Sequence, residues 1–227
     1  MIRVNCRMTR YFASAPSVLA ALVVVAASEP AFADELEVNP DAGNNTFSAV
    51  FDAKLGERIN AVSSAVGCEI IYDENAGTAS GTCSVPLETI RVDNDDTKSD
   101  HFRQWATNKK SDPAACRLEA TFAAVRVGKL EPGSPASFAA DIPFRVCGRS
   151  RAGGAPEKVT GTALLLPAGT YGERKTIRIR ATVASFDRDA YRIGPKYTDG
   201  WLARVQSLAT VVAETGNIDL SLFAKAK

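Results

Sequence analysis

Alternating apolar and polar positions dominate the chain after residue 45. Residues 175–183 (KTIRIRATV) place an apolar side chain at every second position, and residues 218–222 (IDLSL) do the same. Such alternation predicts strands with one buried and one solvent-facing side, as in antiparallel sheets. The pattern predicts further strands over residues 46–53, 67–73, 79–85, 138–146 and 159–166. Turns containing glycine or proline separate these segments, which favours a sandwich or a barrel.

One helical segment is expected between residues 95 and 108. Phe102 and Trp105 lie three positions apart there, which is the spacing of one helix face. Ser99 and Asp100 precede them and are the residue types that cap a helix N-terminus. The segment is therefore predicted to be a short helix or a helical turn.

A second helix is expected near the C-terminus. Apolar side chains recur at helical spacing in residues 201–212 (WLARVQSLATVV), with Asp199 before them and Gly216 after them. These flanking residues predict a capped helix of about fourteen residues. Its polar face lacks the excess of Lys and Arg found in helices that bind membrane surfaces, so we expect it to cover the core.

The N-terminal region has the layout of a secretory signal peptide. Three arginines are followed by an apolar run at residues 18–27 and by a small-x-small cleavage site at residues 31–33. The apolar run is shorter than a membrane span of about 20 residues. We therefore predict a signal peptide at 1–33, a flexible polar lead at 34–45 and one β-domain at 46–227, outside the cytoplasm.

Charge and motifs exclude several function classes. The chain has 27 Lys and Arg against 26 Asp and Glu, a net charge of +1, without the basic face that nucleic acid requires. The loop at residues 148–154 (GRSRAGG) has no helix pattern after it, so it is read as a solvated hairpin loop and not as a phosphate-binding loop. No cofactor or nucleic-acid partner is expected.

Catalytic chemistry is not indicated either. His101 is the one histidine in the chain, which excludes a multi-histidine metal site. Ser99, Asp100 and His101 have the residue types of a nucleophile triad, but triads are assembled from distant positions. Ser99 also lacks a nucleophile-elbow context. The expectation is that the protein is not an enzyme and that His101 is a hydrogen-bonding residue in a loop that covers one end of the sheet.

The cysteines indicate disulfides. Cys6 falls in the predicted signal peptide, and four cysteines remain, which allow three pairings. These four are Cys68, Cys83, Cys116 and Cys147. Disulfides are expected in an exported protein, and the spacing is not that of a zinc site, so no metal is predicted.

Spacing favours pairing Cys68 with Cys83. They lie symmetrically about a turn-rich stretch at residues 73–77, so two strands folded back there place them opposite each other. Ile70 then faces Gly81 on the same side of the hairpin. This register keeps the apolar residues of both strands together.

Cys116 and Cys147 are likewise symmetric about a Pro-Gly turn. In that register Leu118 faces Arg145, which mixes the two sides of the hairpin. A bulge near residues 123–124 would restore the alternation. The Cys116–Cys147 pairing is therefore expected together with such a bulge.

Several segments resemble the YceI-like family. Residues 98–103 (KSDHFR) take the place of that family's Arg-Asp-x-His-Leu-Arg stretch, and residues 119–122 (EATF) resemble its Thr-x-Thr-Phe strand end. Residues 188–193 (RDAYRI) resemble its Arg-x-Asp-Phe-Gly-Ile segment, and residues 216–222 (GNIDLSL) its closing strand. The family's Gly-Val-Thr-Lys-Pro-Val hairpin is longer and altered here, at residues 148–159. Both cysteine pairs and the predicted second helix are additions to the family pattern.

This resemblance implies an all-β fold: an antiparallel lipocalin-like β-barrel of about eight strands with one or two short helices, exported to the periplasm. It also implies that the interior binds a long polyisoprenoid, quinone-like or other long-chain apolar lipid, with the polar head of the ligand at the barrel mouth. Two residues are expected at that mouth, His101 and Arg103. The expected wall residues are Tyr72, Phe102, Trp105, Phe122, Phe144 and Leu222.

Alternatives stay open at this stage. Each wall residue could serve ordinary core packing, and a barrel filled by its own side chains would keep the fold and lose the ligand. In that case the protein is a periplasmic structural or interaction module that uses the barrel exterior. A homodimer is a further partner that the sequence leaves open.

Overall fold

The computed structural model describes residues 33–107, 112–198 and 212–227, which form one thirteen-stranded sheet and one α-helix. The strands are β1 Ala33–Val38, β2 Thr46–Ala53, β3 Arg58–Ser63, β4 Gly67–Asp73, β5 Thr78–Pro86, β6 Arg91–Val92, β7 Arg117–Arg126, β8 Pro135–Ile142, β9 Phe144–Val146, β10 Arg149–Ser150, β11 Glu157–Leu165, β12 Thr176–Asp187 and β13 Val212–Ala226. The α-helix, α1, is Asp96–Thr107. Single turns of 3-10 helix are Pro40–Ala42, Lys54–Gly56, Leu87–Thr89, Pro113–Ala115, Ala152–Gly154, Asp189–Tyr191 and Pro195–Tyr197.

All named strands pair antiparallel, which confirms the predicted all-β class. The sheet path runs β10, β9, β7, β5, β4, β1, β13, β12, β11 and β8, and β2, β3 and β6 branch from β13. The thirteen strands exceed the expected eight by five, and three of the five are accounted for by β6, β9 and β10, which are only two or three residues long. Segments that short carry no readable alternation.

The sheet curls into a barrel wall in which β8, the last strand of the main path, lies beside β7. These strands lie side by side, and Thr121 N–H donates to the carbonyl of Pro143 at 3.3 Å. Within the described residues no ladder of backbone hydrogen bonds joins β7 to β8. The wall is thus continuous by pairing everywhere along the main path except at this seam.

The N-terminal strand corrects the prediction of a flexible lead at 34–45. β1 pairs with β4 along its whole length, and Leu36 and Val38 are buried. Asn45 is also buried, where its side chain donates to the carbonyl of Asn39 at 2.8 Å and accepts from the amide of Phe223 at 3.0 Å. The alternation in β1 is too short to stand out among polar neighbours, and its partner strand is distant in sequence.

The helix is where its spacing predicts it, but its cap is different. Asp95 caps α1 by accepting from the amide of Lys98 at 2.9 Å, in place of Ser99 or Asp100. Ser99 is buried in the first turn, where its hydroxyl donates to the carbonyl of Asp95 and accepts from the amide of Val92. Ser99 therefore fastens α1 to β6.

The predicted second helix falls mostly on residues 199–211, outside the described part of the chain. Its predicted last turn is wrong, because Val212 already belongs to β13 and pairs with Ala53. Val212 fits the helical spacing of the apolar residues before it, but it belongs to β13. The partner strands of β13 include β2 and β12, which are remote in sequence. The predicted signal peptide likewise lies outside the described residues, except for Ala33, the first residue of β1.

Both predicted disulfides are present. Cys68 and Cys83 are direct partners in the β4–β5 register, with Cα atoms 4.1 Å apart. Cys116 and Cys147 are joined with Cα atoms 4.5 Å apart. The expected register between Leu118 and Arg145 is wrong: Leu118 pairs with Val146, so both apolar side chains face inward.

The predicted bulge exists, but it lies in the pairing of β7 with β5 and not in the pairing of β7 with β9. Between β5 and β7 the register shifts so that Ala123 and Ala124 together lie opposite Ser80, and Ala124 has φ 49°. Ser80 accepts a hydrogen bond from the amide of Ala124 at 2.8 Å. The hairpin with β9 needs no bulge, because its offset by one residue already keeps the two faces separate.

Candidate functional site

Two neighbouring apolar cavities occupy the barrel interior. Cavity 1, about 250 Å³, lies against α1. Its lining is Phe47, Ala49, Phe51, Ile59, Ala61, Leu87, Ile90, Val92, Lys98, His101, Phe102, Trp105, Leu118, Val146, Phe186, Arg188, Ile193, Val212 and Ile218. Cavity 2 has a volume of about 110 Å³. Its lining is Leu36, Ile70, Tyr72, Ala79, Cys83, Ala120, Phe122, Val125, Val127, Leu130, Phe138, Ile142, Phe144, Val159, Ala163, Ile177, Ile179, Ala181, Leu220 and Leu222.

Strand alternation carries the apolar lining from one cavity into the other. On β7, Leu118 lines cavity 1 and Ala120, the next inward residue, lines cavity 2. On β13, Ile218 and Leu220 are related in the same way. Because every second residue of a strand faces the same side, the two cavities are successive stretches of one apolar interior.

Seven of the eight predicted ligand-binding residues face this interior. His101, Phe102 and Trp105 line cavity 1 from α1. The other four line cavity 2, and they are Tyr72, Phe122, Phe144 and Leu222. The structure thus divides the predicted set between two cavities. That these side chains touch a ligand stays a prediction.

Arg103 is the exception, because it lines neither cavity. Its guanidinium forms an ion pair with Asp100 and donates to the carbonyl of Glu88 at 3.1 Å. It therefore fixes α1 to the 3-10 turn Leu87–Thr89 and is not at a ligand mouth. The spacing of two residues from His101 on a helix places the two side chains on different faces.

Cavity 1 has polar residues that sequence reasoning did not assign. Lys98 and Arg188 line it beside His101, and among the described residues no Asp or Glu does. The one signal for Arg188 was its place in residues 188–193, which resemble a family segment. The polar part of the lining is thus basic in character.

Arg188 is held in place by backbone carbonyls. Its guanidinium donates to Val212, Ala213 and Ile193 at 2.7, 2.9 and 2.7 Å. Burial lowers the pKa of Arg188, and the nearby carboxylates of Asp189 and others oppose that shift. These three hydrogen bonds go to carbonyls and not to a carboxylate, so Arg188 brings a positive charge to the cavity lining that the carboxylates of Asp187, Asp189 and Glu214 partly offset.

Lys98 is more exposed and is paired. Its ammonium lies 2.7 Å from the Asp93 carboxylate. The hydrogen bond to Asp93 raises the pKa of Lys98, so the side chain is charged at neutral pH. Lys98 can therefore present a cation at the edge of cavity 1 while Asp93 neutralises part of its charge.

A buried polar pair supports the wall of cavity 1 from behind. Tyr191 donates to the Glu157 carboxylate at 2.7 Å, and Arg151 lies 3.5 Å from the same oxygen. The Tyr191 ring stacks on Phe186 with centroids 4.9 Å apart. Burial and the bond to Glu157 raise the pKa of Tyr191, so this hydroxyl stays a donor. Phe186, which lines cavity 1, is thereby held in one orientation.

Arg149 connects that pair to α1. Its guanidinium donates to the carbonyl of Tyr191 at 3.1 Å and to the carbonyl of Ala106 in the last turn of α1. Burial lowers the pKa of Arg149, and Arg192 adds to the effect. The Gly- and Arg-rich loop predicted to be simply solvated therefore contributes one side chain that anchors the helix over cavity 1.

Tyr72 lines cavity 2 and also binds the loop that follows β7. Its hydroxyl donates to the carbonyl of Gly128 at 3.0 Å and accepts from the amide of Leu130 at 3.1 Å. These two bonds bind the loop after β7 to β4. Tyr72 thus combines a place in the cavity wall with a structural role that its expected ligand contact did not include.

Other kinds of site are not formed in the described part of the chain. No group of three or more His, Cys, Asp or Glu side chains there could hold a metal ion. In the same residues no helix has the length and apolar character needed to cross a membrane. What the interior offers chemically is shape, apolar contact and a few positive charges.

Comparison with known proteins shows the fold. A polyisoprenoid-binding domain from Saccharophagus degradans, implicated in plant cell wall breakdown, matches with a TM-score of 0.59 at 15% sequence identity. The match covers 85% of this chain and 98% of that domain. No protein-family model and no curated protein matches the sequence. The fold that the resemblance to the YceI-like family implied is therefore confirmed.

Proposed function

We propose that this protein binds one long-chain apolar lipid, a polyisoprenoid or quinone-like molecule, inside the barrel. The observation that carries the proposal is the pair of successive cavities with an almost entirely apolar lining. An interior evolved only for packing fills such space, because protein cores leave few voids larger than a water molecule. The proposal assigns binding and no catalytic step.

Apolar contact supplies the affinity in this proposal. Burying hydrocarbon stabilises a complex by about 25 cal/mol for each Å² removed from water. A polyprenyl tail has no hydrogen-bonding groups, so burial leaves none unsatisfied. Phe102 and Trp105 on α1 and the aromatic residues of cavity 2 offer large apolar surfaces to such a chain.

The head of the ligand is proposed to lie at the α1 end of cavity 1. Lys98, His101 and Arg188 are there, whereas the described lining of cavity 2 contains no charged side chain. Positive charge and N–H donors favour a head with acceptor oxygens, such as a quinone, a carboxylate or a phosphate. The tail then extends from cavity 1 into cavity 2.

Two further observations support the proposal. The Saccharophagus degradans domain with this fold is a polyisoprenoid-binding domain. The two disulfides suit an oxidising compartment, in agreement with the predicted signal peptide. We therefore propose that the protein is exported to the periplasm and acts there.

The test is native mass spectrometry of protein purified from the periplasm, followed by organic extraction. The expected result is a bound mass that matches a polyprenyl lipid or quinone and disappears on extraction. A matched pair of variants controls for specificity. Ala49→Phe adds a ring inside cavity 1, and Val50→Phe adds the same ring on the other face of β2.

The bound mass should be lost in Ala49→Phe and kept in Val50→Phe. An apo mass in the wild-type protein that stays unchanged after incubation with such lipids rejects the proposal. That outcome favours the interaction module that uses the barrel exterior.

A further inference from the structure

A groove runs along the seam between β7 and β8 and borders cavity 2. The groove has a volume of about 490 Å³ and is lined by residues 121–126 of β7 and by residues 139–141 and 143 on the opposite side. Phe122 and Val125 line both the groove and cavity 2. The groove and the barrel interior therefore share a wall at these two side chains.

Four alanines form the middle of the groove, and Thr121, Arg126 and Asp141 are the polar residues of its lining. Ala123 and Ala124 project from the bulged part of β7, and Ala139 and Ala140 lie opposite them on β8. The bulge bends β7 locally and turns the amide of Ala124 to Ser80, away from β8. This distortion interrupts the edge that would otherwise pair with β8.

Both ends of the seam are held, so it is a slit in a fixed frame and not a fraying edge. At one end β7 pairs with β9, and Thr121 bonds to Pro143. At the other end the loop after β7 bonds to Tyr72 and Gly77, and Gly133 N–H donates to the carbonyl of Leu165 at 2.9 Å. Between these anchors no backbone hydrogen bond joins residues 122–126 of β7 to β8.

The cavities alone are small for a long chain. At about 250 and 110 Å³ they together fall near the lower end of the roughly 300–1,000 Å³ typical of small-molecule sites. A polyprenyl chain with its head in cavity 1 therefore fills cavity 2 before the chain ends. Within the described residues, the seam groove borders cavity 2 at Phe122 and Val125, where β7 and β8 do not pair.

We propose that the distal part of a long apolar ligand passes out of cavity 2 between β7 and β8 and lies in the seam groove. This proposal rests on the proposed function and adds a second binding segment to it. Separating two paired strands breaks a row of backbone hydrogen bonds, whereas passage here breaks at most the bond from Thr121 to Pro143. In this proposal the groove binds the part of a long hydrocarbon chain that the two cavities cannot hold.

The first experiment compares ligands of two lengths on matched variants. Ala140 lies at the seam on the inward side of β8, so Ala140→Phe narrows the slit. Ser137→Phe adds the same ring on the exposed side of β8, outside the described lining of the groove. Equilibrium affinities are measured for farnesol, a short isoprenoid alcohol, and for solanesol, a long one, with both in detergent-matched buffer.

Ala140→Phe is expected to weaken solanesol binding by about tenfold or more, which corresponds to a few methylene groups that are no longer buried. Farnesol affinity should change less than about threefold, and Ser137→Phe should leave both affinities at the wild-type value. If Ala140→Phe binds solanesol as tightly as wild type does, the seam site is rejected while lipid binding stands. If the wild-type protein binds neither alcohol, the proposed function is rejected, and the seam site with it.

A second experiment needs no variant, so it decides the proposal even if Ala140→Phe does not fold. Hydrogen–deuterium exchange of wild-type protein is compared without ligand, with farnesol and with solanesol. Amides of residues 122–126 and 136–142 should exchange more slowly with solanesol than with farnesol. Equal protection by the two alcohols at these residues would place the whole chain inside the barrel and overturn the proposal.

Discussion

Cavity 1 and cavity 2 belong to one interior but differ in how they are enclosed and in what they offer a ligand. Cavity 1 is covered by α1 and contains Lys98, His101 and Arg188. The described lining of cavity 2 has no charged residue, and the cavity borders the seam between β7 and β8. A ligand with one polar end therefore has one favoured direction, with its head in cavity 1 and its tail in cavity 2.

The cover of cavity 1 and the wall of cavity 2 are stabilised by different means. The cover of cavity 1 is a helix fastened by side chains, through Ser99, Arg103 and Arg149. The wall of cavity 2 is made of paired strands, with the Cys68–Cys83 disulfide across β4 and β5. We expect the cover to open more easily than the wall, since side-chain contacts act locally and ladders act cooperatively.

The largest expected effects come from removing each disulfide. In the chain-entropy model, the loop of 31 residues closed by Cys116–Cys147 contributes about 4 kcal/mol and the loop of 15 residues closed by Cys68–Cys83 about 3 kcal/mol. The two double Cys→Ser variants should lower the free energy of unfolding in that order, as measured by urea denaturation without ligand. The reverse order would show that strand pairing around cavity 2 depends on its disulfide more than loop length predicts.

Filling cavity 1 should have the next largest effect, which is a loss of ligand affinity. Ala49→Phe is expected to weaken the binding of short and long isoprenoid alcohols alike by about a hundredfold, because the ring occupies space that both need. Fluorescence titration measures this, and circular dichroism checks the fold. Val50→Phe is the control. A variant that loses only the long ligand would mean that cavity 1 does not hold the head end.

Loosening the contact between Tyr72 and the loop after β7 should lower the stability of the protein by a smaller amount. Tyr72→Phe keeps the ring but leaves the amide of Leu130, a buried residue, without its acceptor. We expect the free energy of unfolding to fall by about 2 kcal/mol. Tyr171→Phe is a suitable control, because Tyr171 is 47% exposed and keeps its ring contact with Phe223. Equal stability of the two variants would show that the loop after β7 is held by other contacts.

The smallest expected effect is a change in ligand affinity that distinguishes the polar part of cavity 1 from the apolar cavity 2. His101→Ala is expected to weaken farnesyl phosphate binding by about threefold to tenfold relative to farnesol binding, the net worth of one typical hydrogen bond. Leu222→Ala in cavity 2 should weaken both ligands equally. Isothermal titration calorimetry measures the affinity of each variant for the two ligands, and the ratio of the two affinities is compared between the variants. Equal losses of the two ligands in His101→Ala would remove the argument for a head group at α1.

Much of the fold could be predicted from the sequence because its signals are local. The alternation of residues 46–53 and 67–73 coincides with β2 and β4, and the spacing of Phe102 and Trp105 predicts α1. The symmetric placement of Cys68 and Cys83 about a turn gives their register as well. Each of these inferences needs only a period of two or 3.6 residues, or a hairpin, and no knowledge of distant partners.

The sequence by itself thus determined the class of fold, the strand faces and both disulfide pairings. Only the tertiary structure decided that residues 33–38 form a strand, that Arg103 serves the helix and Arg188 the cavity, and that β7 and β8 meet without pairing. The physical reason is that alternation states which side of a strand is apolar but not which strand lies beside it. Partners remote in sequence therefore decide where the interior is filled, where it stays open and where the wall can be crossed.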